Sequence, residues 1–104
     1  MTFSGQLYIG DKIKDSADEL KKNCIGFAVN GYKKEYIIIL SFNPDNLLEL
    51  IPVKELRHPY YQENDFKVVG VAADKEEAKT LTARIIEDVY KMRGCLDVAG
   101  FFDT

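Results

Sequence analysis

The sequence predicts an α+β domain: a small mixed, mostly antiparallel sheet with a long C-terminal helix and one or two short helices packed on it. Three observations carry this reading. Asn30-Gly31 separates two apolar runs, residues 66–73 form a compact apolar strand, and residues 74–93 hold the longest stretch of helical periodicity. No linker, repeat or shift in composition divides residues 1–104, so a single domain is expected. A chain of this length buries roughly 65% of its unfolded surface, enough for a core without disulfide or metal.

Phe3 to Ile9 alternates imperfectly and stops at Gly10-Asp11, as a short strand does. Ile13, Ala17, Leu20 and Cys24 then recur at helical spacing, which predicts a helix over about 13–23 ending at Asn23. A hairpin is expected next. Cys24–Val29 and Tyr32–Phe42 flank Asn30-Gly31, and Asn-Gly suits the two positive φ angles of a type I′ turn. In that register Val29 faces Tyr32, Phe27 faces Lys34 and Ile25 faces Tyr36, so that Tyr36, Ile38, Leu40 and Phe42 share one face. Asn43 as N-cap and Pro44 at the first helical position predict a short helix burying Leu47, Leu48 and Ile51 before Pro52 ends it. Residues 53–65 show no sustained period and read as an ordered, irregular connection.

Phe66 to Ala73 has the length and composition of a buried strand. Asp74 with Glu77 three residues on is an acidic capping box, and the long helix starts there. Its inward side is Ala78, Leu81, Ile85, Val89 and Met92, widened by Ile86 and Tyr90, with Glu87 and Lys91 paired outside. Gly94 closes it with a left-handed cap. The apolar tail from Cys95 to Phe102 is expected as a weak strand or a docked extension. The first six elements follow the order of a ferredoxin-like unit.

Composition argues against several function classes. Fourteen Lys and Arg against 17 Asp and Glu, interspersed, give a net charge of −3 and no basic stripe for phosphates, so no nucleic-acid partner is expected. No apolar run approaches a membrane span, and the start MTFSGQLYIGDK lacks the pattern of a signal peptide, so a cytoplasmic, membrane-free protein is expected. Cys24 and Cys95, without Cys-x-x-Cys spacing, are expected as two buried free thiols. Both fall just beyond predicted helix C-termini, where the dipole opposes a thiolate.

Gly70-Val71-Ala72 lies at a strand-to-helix turn but lacks the three glycines of a dinucleotide fingerprint and the Gly-Lys-Ser/Thr of a phosphate loop. Asp74 would also put a carboxylate where a phosphate belongs. Glu55-Leu56-Arg57-His58 has the Glu-x-x-His spacing of di-iron bundles, but a single histidine cannot supply the second copy. Asp11, Asp15, Asp18 and Glu19 lack the spacing of a calcium loop and read as a solvated face. No cofactor, metal or catalytic set is therefore expected. The one stretch suited to contact a partner or small ligand is Arg57-His58-Pro59-Tyr60-Tyr61, where an Arg, the sole His and two tyrosines meet in a connection. The contact residues are Arg57, His58, Tyr60 and Tyr61.

Residues 67–98, KVVGVAADKEEAKTLTARIIEDVYKMRGCLDV, hold a Val-Gly-x-Ala strand, a helix ending in Asp-Val-Tyr, and a Gly before an Asp-Val tail. In these features the chain resembles a family of small uncharacterised proteins from anaerobic Gram-positive bacteria. The resemblance covers about a third of the chain and implies no activity, ligand or site residue.

Residues 36–42 and 66–73 are apolar on both sides, and strands of that kind need cover on both sheet faces. The long helix with Leu47 and Leu48 can cover one face, leaving the first helix and the tail, or a second subunit, for the other. A non-enzymatic interaction or regulatory domain, self-associating as a homodimer, is the expected function. The alternative is a small metabolite-binding protein or enzyme with a pocket at His58, Tyr60 and Tyr61, where Glu63 and Asp65 supply nearby acids.

Overall fold

The computed structural model describes residues 1–25, 34–42 and 46–102. Four strands, β1 (Thr2–Ile9), β2 (Tyr36–Leu40), β3 (Leu48–Pro52) and β4 (Lys67–Ala72), form one sheet in the order β1-β4-β2-β3. β1 runs parallel to β4, and both other pairings are antiparallel. Among the described residues four α-helices complete the α+β fold: α1 (Ala17–Ile25), α2 (Pro59–Glu63), α3 (Lys75–Arg93) and α4 (Val98–Phe101). The chain order β1-α1-β2-β3-α2-β4 is that of a ferredoxin-like unit, but the sheet does not have its topology. A split β-α-β unit needs its first two strands parallel, whereas these pairings make β1 and β2 run in opposite directions.

The sheet is covered on both faces by its own chain. Ile37 and Ile39 join Leu20 and Cys24 of α1 and Val53 and Leu56 of the 3-10 helix Val53–Arg57. Ile38 points the other way, to Leu81, Ile85 and Val89 of α3 and to Val98 and Phe102. The tail is thus docked as α4, on the same face as the long helix.

The bulge in β4 lets it serve both layers. Ile38 pairs with Gly70 and Ile39 with Val68, so Val69 is an extra residue against β2. Val68 and Val71 then face α1 while Val69 faces α3. Gly70 leaves room for close packing of the two layers, since a Cβ there would lie 3.0 Å from Ile38 Cδ1 and 3.4 Å from Leu81 Cδ2 and would push these side chains back by a few tenths of an ångström.

The helix expected at 43–51 is instead β3 from Leu48. Leu48, Leu50 and Ile51 satisfy either period, and the unbroken pairing from Leu48↔Leu40 to Pro52↔Tyr36 decides between them. The expected N-cap Asn43 and Pro44 lie outside the described residues, as does the Asn30-Gly31 hairpin. The expected strand from Cys24 is corrected as well, since Cys24 and Ile25 are the last residues of α1 and Tyr36 pairs with Pro52 and Ala72 rather than with Ile25. The buried side of the first helix is as expected, with Ile13, Ala17, Leu20 and Cys24 all in the core.

α3 begins and ends as its sequence requires. Asp74 Oδ1 accepts the Glu77 N–H at 2.8 Å, and Gly94 takes φ 70° while donating to the Tyr90 carbonyl. Lys91 and Glu87 pair at 2.8 Å. Met92 and Tyr90, expected inside, are 76% and 60% exposed, because the chain turns at Gly94 and lays Val98 and Phe102 into the Ile85–Val89 side of the helix.

Candidate functional site

The Arg57–Tyr61 stretch is regular where no period was expected. Val53 donates its N–H to the Glu35 carbonyl at 2.9 Å, which joins the start of the 3-10 helix to the residue just before β2, and Leu56 anchors that helix with 0% exposure. His58 then leaves the helical region at φ −71°, ψ 134° and caps α2, with Pro59 in the first turn. Its Nδ1 accepts the Tyr60 N–H at 3.2 Å, so the neutral imidazole carries its hydrogen on Nε2. The signal was present: a capping side chain followed by Pro is the same pattern read at Asn43-Pro44. Gln62 donates to the Arg57 carbonyl at 3.2 Å and Asn64 to the Tyr60 carbonyl at 2.8 Å, which ties both ends of this five-residue helix.

Tyr60 and Tyr61 do not stand alone. Their rings meet edge to face at 5.3 Å; Tyr60 packs on Phe42 at 5.5 Å, Tyr61 on Phe66 at 6.0 Å, and Phe42 on Phe66 at 5.9 Å, which closes a four-ring cycle. Such pairs contribute about 0.5–1.5 kcal/mol each beyond the area they bury. Phe66 forms the buried floor, whereas Tyr60 is 46% and Phe42 36% exposed. Phe42, expected beside Ile38 and Leu40, lies past the end of β2 and packs with Phe66, whose neighbours are on the α1 side. Burial pushes the Tyr61 phenol above its ordinary pKa, and the carboxylates of Glu49 and Glu55 push it further. Arg57 and His58 are exposed at the rim. Of the acids expected nearby, Glu63 and Asp65 are exposed, and Asp65 pairs with the N-terminal ammonium at 3.1 Å.

The aromatic cluster thus joins Tyr60 and Tyr61 with Phe42 and Phe66, and His58 is tied to it through the Tyr60 backbone, while Arg57 stays exposed on the preceding 3-10 helix. Phe42 and Phe66 are 18 and five residues from Tyr60–Tyr61, and only the fold brings them there. With its Nδ1 lone pair committed to the cap, His58 has its Nε2–H left to donate.

The turn into α3 is filled by its own carboxylates. Glu77 accepts the Ala73 N–H at 2.9 Å and the Lys12 N–H at 2.7 Å, and Lys12 Nζ lies 3.3 Å from Asp74. The Glu77 backbone hydrogen bond, above all, holds the Asp74 carboxyl below its usual range. A side chain on Gly10 would run into the Glu77 carboxyl. Glu77→Ala removes the acceptor of the part-buried Ala73 N–H and of the exposed Lys12 N–H and is expected to lower stability by about 1–2 kcal/mol in urea denaturation, with Glu77→Gln recovering part of the loss.

Cys24 is buried as expected, and burial together with the Glu35 charge pushes its thiol up to about 12. Cys95 is exposed, contrary to expectation, because the chain turns outward at Gly94. A thiol-reactive chromophore is therefore expected to label one thiol in the native protein and the second only on unfolding. Fast labelling of both would contradict the buried position of Cys24.

Among the described residues no three His, Cys, Asp or Glu side chains converge on a metal position, and no helix is long and apolar enough to cross a membrane. No family model matches the chain, and no curated protein or solved structure matches it significantly.

Proposed function

We propose that the chain is a non-enzymatic interaction domain that self-associates through the free edge of its sheet at β3. The observation that carries this reading is the difference between the two sheet edges. At β1 the pairing jumps from Phe3↔Val68 to Tyr8↔Gly70, so Ser4–Leu7 stand opposite the single residue Val69 and break the edge. β3 pairs with β2 over five consecutive residues without a shift, and among the described residues its outer edge has no strand beside it. Leu48 and Leu50 are half-buried there. Antiparallel pairing of two copies about Leu50 sets each Glu49 opposite Ile51 of the other copy. Centring on Glu49 instead would oppose two carboxylates. Cover for the sheet faces, the original motive for a second subunit, comes from the chain itself, so the edge and not a face is the surface assigned.

Light scattering on a gel-filtered sample at micromolar concentration is expected to give twice 11.8 kDa. Leu50→Arg, which sets two cations together on the axis, is expected to give a folded monomer. In the wild type, exchange of the 48–51 amides should slow with concentration. A monomeric wild type with concentration-independent exchange overturns the reading. The bacterial, cytoplasmic setting that goes with it rests on the resemblance of residues 67–98 and on the lack of any apolar run long enough to span a membrane.

The exposed Tyr60 and Phe42 favour a second reading, a small-ligand or partner contact at Arg57, His58, Tyr60 and Tyr61. A metabolite whose thermal shift disappears in Tyr60→Ala and His58→Ala would support it over self-association alone.

A further inference from the structure

A cleft of about 540 Å³ opens between β1 and the C-terminal end of α3, lined by Gln6, Asp88, Lys91, Met92, Arg93 and Phe101. Its volume lies within the range of small-molecule sites. Three elements build it: the break in β1 carries Gln6, the last turns of α3 supply residues 88–93, and α4 brings in Phe101. Among the described residues Met92 is the most exposed large apolar side chain, and with Phe101 it forms the apolar wall.

Charge of both signs surrounds that wall. Asp88 Oδ2 accepts the Tyr8 hydroxyl at 2.6 Å, which anchors the carboxylate and leaves Oδ1 to take a second donor. Lys91 and Arg93 are held by Glu87 at 2.8 Å and Asp97 at 3.0 Å, both exposed pairs of the weak kind that a ligand carboxylate can replace. A purely apolar molecule would cover Asp88 and the two exposed ion pairs without engaging them, and a simple organic anion would face Asp88. A molecule with one ammonium, one carboxylate and an apolar side group matches every part. We propose that this cleft binds a free apolar α-amino acid, its ammonium at Asp88 and Gln6, its carboxylate at Lys91 and Arg93, and its side chain on Met92 and Phe101.

The test is titration of the ¹⁵N-labelled full chain with L-leucine. Saturable shifts are expected at Gln6, at residues 88–93 and at Phe101. Binding should weaken at least about tenfold with N-acetylleucine or leucinamide, and likewise for Asp88→Asn, which keeps the Tyr8 hydrogen bond, and for Lys91→Gln/Arg93→Gln. Absence of saturable shifts, shifts elsewhere, or equal binding of N-acetylleucine overturns the proposal. The wild-type derivatives decide the matter even if a variant fails to fold.

Discussion

Replacing Phe102 by alanine is expected to lower stability by about 3–5 kcal/mol, read as a fall in the urea midpoint at unchanged slope. The ring has 0% exposure and lies in one cluster with Ile38, Val69, Leu81, Ile85 and Val89. It meets Tyr8 edge to face at 6.0 Å and Phe101 at 5.0 Å. Its backbone carbonyl accepts Lys67 Nζ at 3.0 Å, which ties the end of α4 to β4. Truncation removes the ring while its neighbours, held by the sheet and α3, cannot close the space. Since small domains are stable by only about 5–15 kcal/mol, this one side chain accounts for a large share. A loss below about 1 kcal/mol would mean that α4 does not dock on the sheet.

Leu56→Ala is expected to cost about 2–5 kcal/mol by the same measurement. Leu56 is fully buried in the opposite layer, among residues that include Ile37, Ile39, Val53 and Phe66. Its neighbour Arg57 is exposed, and Arg57→Ala should stay within about 0.5 kcal/mol. The contrast between adjacent positions tests the packing of the 3-10 helix directly. Equal effects would mean that the segment does not present Leu56 inward as described.

Both residues lie where the sequence left the structure open. Residues 53–65 carry no period because a 3-10 turn and a five-residue helix are too short to show one, and Val53 and Leu56 are their only fully buried side chains, with Tyr61 packed half-buried against the same core. The apolar content of the tail allows a weak strand or a docked extension, and only the fold shows it docked as the short helix α4. At the candidate site, Arg57, His58, Tyr60 and Tyr61 could be picked out because they are adjacent. Phe42 and Phe66 could not, since their place depends on where β2 ends and β4 begins. Met92 kept helical spacing with Val89, yet it is exposed, because what covers a helix end is decided by the chain that returns to it.

The sequence by itself determined the two ends of α3 and the two-sided burial of β2 and β4. Asp74, Glu77 and Gly94 act on backbone groups within one turn, and the successive isoleucines at 37–39 must point to alternate sides. Tertiary structure alone decided that Leu48–Pro52 is a strand, that β1 lies parallel beside β4, and that α1 and the Val53–Arg57 helix cover the second face. The apolar pattern at 47–51 is compatible with two periods, so its state follows from the partner that offers a hydrogen-bonded ladder. That partner is β2, and the same pairing leaves β3 as the unbroken edge of the sheet.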